Sequence, residues 1–219
     1  MVLVQDCLEK PEKSGLFSSA SGILRPDESL AYVQRMNTFR LEPFPILKTD
    51  NLILRQLSVA DIGTIFEIFS DDQVTQYYDL ETFTNFEQAE KLIAHFQTRY
   101  EQREGIRWAI TRRMNGEMIG TCGFNGFNRQ ASRAVIGYDL LRSSWGQGAT
   151  VQAVKGMLEF GFRRLELHRI EAFVDPENAA SIRVLEKLGF HREGLLRDHG
   201  FWKGKYWDVV SFSRLRTDS

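Results

Sequence analysis

The stretch from Asp139 to Ala153 limits what this 219-residue chain can fold into more than any other. Ala134, Ile136, Tyr138 and Leu140 alternate into it, which predicts a strand. Val151, Val154, Leu158 and Gly161 leave it along one helical stripe. A glycine-containing turn between strand and helix lets a ligand approach bare backbone and aims the first amide N–H groups of the helix at it. With the positive end of the helix dipole, those donors suit a phosphate or pyrophosphate. Residues 145–151 are therefore expected to hold the pyrophosphate of a cofactor, against the plainer reading that the glycines only fit a tight turn.

Two familiar phosphate motifs do not fit. The third glycine of G-x-G-x-x-G is Val151 here, and the turn follows antiparallel pairs instead of opening a repeating βαβ series. The Gly-Lys-Ser/Thr of a phosphate loop is absent. The net charge of −1 provides no basic field for nucleic acid. Cys7 and Cys122 stand far apart and make neither a disulfide framework nor a metal cluster, which fits a reducing cytoplasm. Met1 to Lys10 lacks the basic and apolar regions of a signal peptide, and no apolar run is long enough to span a membrane.

Residues 1–44 read as an appendage, with a Gly/Ser-rich loop over Lys13–Ser21 and a short helix over Pro26–Arg40. Residues 45–219 read as one domain. A strand is expected over Asn51–Leu57, a helix start at Ser58 and Asp61, and a polar, acidic loop over Asp71–Thr84. A second helix starts at Asn85 and Gln88. Ile106, Trp108 and Ile110 alternate, Asn115-Gly116 signals a hairpin, and Met118–Phe124 returns. A loop is expected over Asn125–Arg133. After the glycine turn come a helix to about Leu165, a strand His168–Val174 and a helix opened by Asp175-Pro176-Glu177-Asn178 and stopped by Gly189. Strands Phe190–Leu196 and Tyr206–Arg214 close the chain around a Gly200–Lys205 loop. The plan is α/β with one mixed sheet.

Trp145-Gly146-Gln147-Gly148 between strand and helix, followed by Asp175 to Phe190, resembles the GNAT acetyltransferases, and within them the RimJ/RimL type that acetylates ribosomal-protein N-termini. Thr49 to Arg55 and Gly204 to Asp208 extend the likeness over roughly Pro45 to Leu215. The resemblance implies a single mixed, mostly antiparallel twisted sheet flanked by helices, with strands splayed at an acetyl-CoA site. It implies that Trp145, Gly146, Gln147, Gly148, Ala149, Thr150 and Val151 hold the pyrophosphate. Thr150 departs from the usual Ala or Gly, which implies weaker or shifted contacts. Backbone of Leu140, Leu141 and Arg142 would pair with the pantetheine arm, as a strand adds to an open sheet edge.

Asn178 reads as a helix N-cap from the residues alone, and the resemblance adds a hydrogen bond to pantetheine. Ser181 reads alone as a helix-start residue; the resemblance makes it a cofactor contact and the acid that protonates the departing thiolate. Leu185 stands where many GNAT enzymes carry a Tyr for that task. The base is left among Asp198, His199 and a water chain, since Gly200 occupies the place of a family Glu. Cys122 reads as a buried core residue, not a nucleophile. The implied reaction is direct attack of an amine on the acetyl-CoA thioester without a metal. The acceptor is a protein or peptide N-terminus, ribosomal proteins included, or alternatively a polyamine, amino acid or aminoglycoside-type drug. A non-catalytic CoA-binding module is the reading from another class. A homodimer is allowed; nucleic acid and membrane are not expected partners.

Overall fold

The computed structural model describes residues 41–218. Its strands are β1 (Leu47–Lys48), β2 (Leu52–Gln56), β3 (Ile106–Arg112), β4 (Met118–Asn128), β5 (Arg133–Leu140), β6 (Arg169–Val174), β7 (His191–Trp202) and β8 (Lys205–Leu215). The helices among these residues are α1 (Ile62–Phe69), α2 (Asp72–Thr75), α3 (Phe86–Glu101), α4 (Ala149–Arg163) and α5 (Ala179–Lys187). All strands join one sheet in the order β1-β2-β3-β4-β5-β6-β8-β7. Only β5 and β6 run parallel. The mixed, mostly antiparallel sheet flanked by helices expected from the sequence is the one observed.

Alternation in the central strands feeds two cores. Ile106, Trp108 and Ile110, with Ile136, Tyr138 and Leu140, pack under α4 and α5. Ala109 and Leu141 face the other way, joining Ile65, Phe69, Tyr78, Ile93 and Phe96 from the segment that carries α1–α3. Asn115-Gly116 makes the predicted hairpin, with Gly116 at φ 74° and Asn115 Oδ1 accepting from the Glu117 amide at 3.1 Å. The capping box at α3 also forms: Asn85 Oδ1 accepts from the Gln88 amide at 3.3 Å, and Gln88 Oε1 accepts from the Asn85 amide at 3.2 Å.

Three expected loops are shorter than the sequence suggested. Asp71–Thr84 is no solvated loop. Asp71 Oδ1 caps α2 through the Gln73 amide at 2.9 Å, and Val74, Tyr78 and Phe83 turn into the second core. The Asn125–Arg133 loop loses its first half because β4 continues to Asn128 through a bulge between Phe124 and Gly126. That bulge brings Phe127 to within 5.6 Å of the Phe124 ring. The Gly200–Lys205 loop shrinks to Lys203-Gly204, both at positive φ as in a two-residue hairpin turn. Trp202 and Trp207 stack across it at 5.4 Å and 2°, which carries pairing to the tip.

Packing begins ahead of Pro45. Leu41 is buried in the first core, and Phe44 lies 4.9 Å from Tyr100. The Gly/Ser-rich loop, the Pro26–Arg40 helix and Cys7 lie outside the described residues.

Ser58 and Asp61 start a 3₁₀ turn that leads into α1. Asp61 Oδ2 accepts from the Ser58 amide at 2.8 Å, and Arg55 donates to both Asp61 oxygens at 2.7 and 2.9 Å. Burial alone would raise the Asp61 carboxyl, but the Arg55 guanidinium and the Ser58 amide outweigh it and hold the group below its ordinary value. A folded carboxyl held low stabilises the fold above the unfolded value of about 4, and that stabilisation fades as pH falls through the folded value. Asp61→Asn is therefore expected to cost about 1–2 kcal/mol at pH 7. Thermal melts of both proteins should converge as pH falls below the unfolded value of about 4 and through the lower folded one; a constant gap would refute the ionic role.

Candidate functional site

The pairing of β5 with β6 covers only Arg133–Val135 against Arg169–Glu171. Beyond it β5 stays with β4 and β6 with β8, so the two strands part. A cleft of about 480 Å³ occupies the gap. One end meets the start of α4 at Gly146, Gly148, Thr150 and Val151, and the other meets Gln73, Val74, Gln76 and Tyr77.

Gly148 is the N-cap of α4 at φ 78°, and Gly146 sits at φ 73°. A Cβ on either would meet nothing within 4 Å, so it is the left-handed backbone that calls for glycine. No side chain caps α4, and the Gln152 amide makes a helical bond to Gly148 O at 3.1 Å. The amides of Ala149, Thr150 and Val151 precede that bond, which leaves them as donors for an anion. Thr150 carries one of these amides and is itself among the residues that line the cleft.

The neighbouring side chains are organised by contacts of their own. Trp145 Nε1 donates to Leu140 O at 3.0 Å, folding the turn against the strand end. Gln147 Nε2 donates to Ser143 O at 2.8 Å, and its Oε1 accepts from Arg112 at 3.1 Å. Arg142 lies 3.7 Å from Asp71. The Leu141 amide donates to Ile119 O at 2.9 Å, on the β4 side. This corrects the expected strand addition: backbone direction alternates, so Tyr138 and Leu140, not Leu141, turn their backbone towards the gap.

Asn178 is the N-cap of α5, its Oδ1 accepting from the Ser181 amide at 3.1 Å. The loop before it is braced by Asp175 Oδ1, which accepts from the Glu177 amide at 2.8 Å. Ser181 is buried in the first turn of α5 and lines the cleft. Tyr138, known from the sequence only as an alternating strand residue, also lines the cleft and donates from its hydroxyl to Ser181 O at 3.4 Å. Burial pushes its phenol well above the ordinary value, so it stays protonated.

The two named base candidates stand on β7. His199 stacks on Phe173 at 5.3 Å, and the Asp198 amide donates to Asp208 Oδ1 at 2.8 Å in the irregular stretch between Leu196 and Gly200. Neither lines the cleft. Gly200 is a glycine for a steric reason: a Cβ there would sit 2.0 Å from the Trp202 ring. Cys122 is buried, and burial pushes its thiol up to about 12, so it is no nucleophile at neutral pH.

Asp139 lines the cleft from the opposite face of β5 and forms a buried ion pair with Arg107. Arg107 also donates to Thr121 Oγ1 at 2.9 Å and Asn125 Oδ1 at 3.0 Å, and lies 5.1 Å over the Phe96 ring. Burial opposes the guanidinium charge, and Asp139 more than offsets it. Tyr77 is raised by burial and then by Asp175 and Glu177. Asp175 is itself raised, chiefly by burial, with the Glu177 and Asp208 carboxylates adding to it against the Glu177 amide and Lys205. Among the described residues no acidic, His or Cys group is arranged to hold a metal, and no helix is long and apolar enough to cross a membrane.

Residues 51–191 match the family model described as acetyltransferase (GNAT) domain. The N-acetyltransferase YoaA of Bacillus subtilis is 42% identical over 170 residues, covering 78% of this chain and 96% of that protein. The spermidine N(1)-acetyltransferase of Escherichia coli is 26% identical, covering 72% of this chain and 82% of that protein. Among solved structures, a Salmonella typhimurium acetyltransferase described as modifying the N-terminal serine of ribosomal protein L7/L12 superposes with a TM-score of 0.71 at 23% identity. That match covers 78% of this chain and 99% of the other, and it speaks for the fold.

Proposed function

Because the chain belongs to the GNAT acetyltransferase family and uses acetyl-CoA, we propose that its acceptor is the free α-amine of a protein or peptide. The observation that carries this is the gap between β5 and β6, lined by the first turn of α4 and by Glu177, with Asp175 bonded to the Glu177 amide behind it as an acidic rim. A peptide amine arrives as an ammonium, which that rim attracts. The described function of the Salmonella neighbour supports the same acceptor class.

Bound acetyl-CoA supplies a thioester whose carbonyl carbon takes the amine, the C–N bond forming as the C–S bond breaks. The residues divide the remaining work. The amides of Ala149, Thr150 and Val151 hold the pyrophosphate, while Trp145, Gly146, Gln147 and Gly148 shape the turn that presents them. Backbone of Tyr138 and Leu140 binds the pantetheine arm in the place of a missing strand, and Asn178 braces the start of α5 beside it. Ser181 delivers a proton to the departing sulfur. Neither Asp198 nor His199 lines the cleft, and the proton lost by the amine passes to water.

A panel assay of thiol release tests the acceptor. Peptides with free N-termini should be turned over at least about tenfold more efficiently than N-blocked peptides or spermidine. The identity to a spermidine acetyltransferase makes a polyamine the second reading. Preference for spermidine over every peptide would replace the first reading with it.

A further inference from the structure

The helix α5 turns two stripes in two directions. Leu185 and Leu188 enter the core, while Ala180, Arg183, Val184 and Lys187, at i, i+3, i+4 and i+7, face the cleft. Arg183 and Lys187 are therefore neighbours one turn apart, both exposed, on the wall shared with the first turn of α4. Two cations at that spacing repel each other unless something anionic lies between them. Among the described residues, neither has an ion pair or hydrogen bond with a protein group, although Glu186 is adjacent in sequence. Other arginines beside the cleft are spoken for: Arg142 by Asp71, and Arg112 by Gln147 and Glu117.

The amide donors at the start of α4 suit a phosphate diester or pyrophosphate, whose charge is spread and needs no matching cation. A phosphate monoester differs, carrying close to two negative charges near neutral pH. Arg183 offers a planar fork of N–H donors to its oxygens, and Lys187 a mobile point charge. We infer that Arg183 and Lys187 form the subsite for the 3′-phosphate monoester of the coenzyme, so that α5 distinguishes coenzyme A from its 3′-dephospho form. The inference rests on the acetyl-CoA reading above.

Calorimetric titration of the whole protein with coenzyme A and with dephospho-coenzyme A tests it without turnover. The wild-type chain should bind coenzyme A roughly tenfold or more tightly than the dephospho form. The preference should narrow in high salt, since the pair is exposed. In Arg183→Gln/Lys187→Gln the ratio should fall to about one, with dephospho-coenzyme A affinity unchanged. Arg183→Lys/Lys187→Arg, which keeps both charges, should restore most of it. Equal binding of the two ligands by the wild-type chain, or an undiminished ratio in the Gln double variant, would overturn the assignment. Failure of the wild-type chain to bind either ligand would strike the cofactor reading itself and this subsite with it.

Discussion

Arg107→Met is expected to lower the unfolding free energy by about 3–5 kcal/mol, because it strands the Asp139 carboxylate in a site that excludes water. Both side chains are almost wholly buried, and Arg107 also satisfies Thr121 and Asn125. The Tyr78 hydroxyl, buried beside Asp139, is a single neutral donor and replaces a guanidinium charge poorly. For a domain of this size the loss corresponds to a drop in Tm of roughly 10–15 °C. The size of the effect comes from the unpaired charge more than from the worth of the pair. Arg107→Met/Asp139→Leu should accordingly recover most of the stability, because two apolar groups of similar volume fill the same space. Differential scanning calorimetry of the three proteins decides it. A double variant no more stable than the single one would show that the pair does more than cancel its own burial.

Ser181→Ala is expected to lower kcat by about a hundredfold or more, the range removed with a general acid, and to leave the affinity for coenzyme A nearly unchanged. The Asn178 cap on α5 accepts from the Ser181 backbone amide, so losing the hydroxyl does not uncap the helix. The phenol of Tyr138 bonds the Ser181 carbonyl and is not altered by the substitution. Stopped-time thiol release, with calorimetric binding as the control, separates the two quantities. An unchanged kcat would remove Ser181 from the chemistry and leave it as a helix-start residue. A loss confined to binding would assign it to holding the pantetheine arm.

The strand, the glycine turn and α4 were legible because each is written locally. Alternation gives way to a helical stripe at Gly148, and only a glycine accepts φ 78° there without strain. Asn178 was legible for the same reason, as a cap. What the residues could not disclose was the direction of the backbone. Leu141 differs from Leu140 only by parity, and which parity faces β4 is set by the register of β5 on that strand. The Asp71–Thr84 segment looked solvated because its acids and hydroxyls dominate the composition. Val74, Tyr78 and Phe83 became core only once α3 offered them a surface. Asp198 and His199 adjoin Gly200 in sequence, and what they pack against, Asp208 and Phe173, is set by the pairing of β7 with β8 and of β8 with β6. Arg107 and Asp139 stand far apart in the chain, so nothing local marks them as a pair.

The parting of β5 and β6 also has a consequence for how such chains diverge. On the proposed reading α4 and α5 hold the donor from one face, while Gln73, Val74, Gln76 and Tyr77 line the same cleft from a segment packed on the other. Substitutions in the second group would then alter the cleft without touching the turn or α5, so the choice of amine could change while the hold on the acetyl carrier stays.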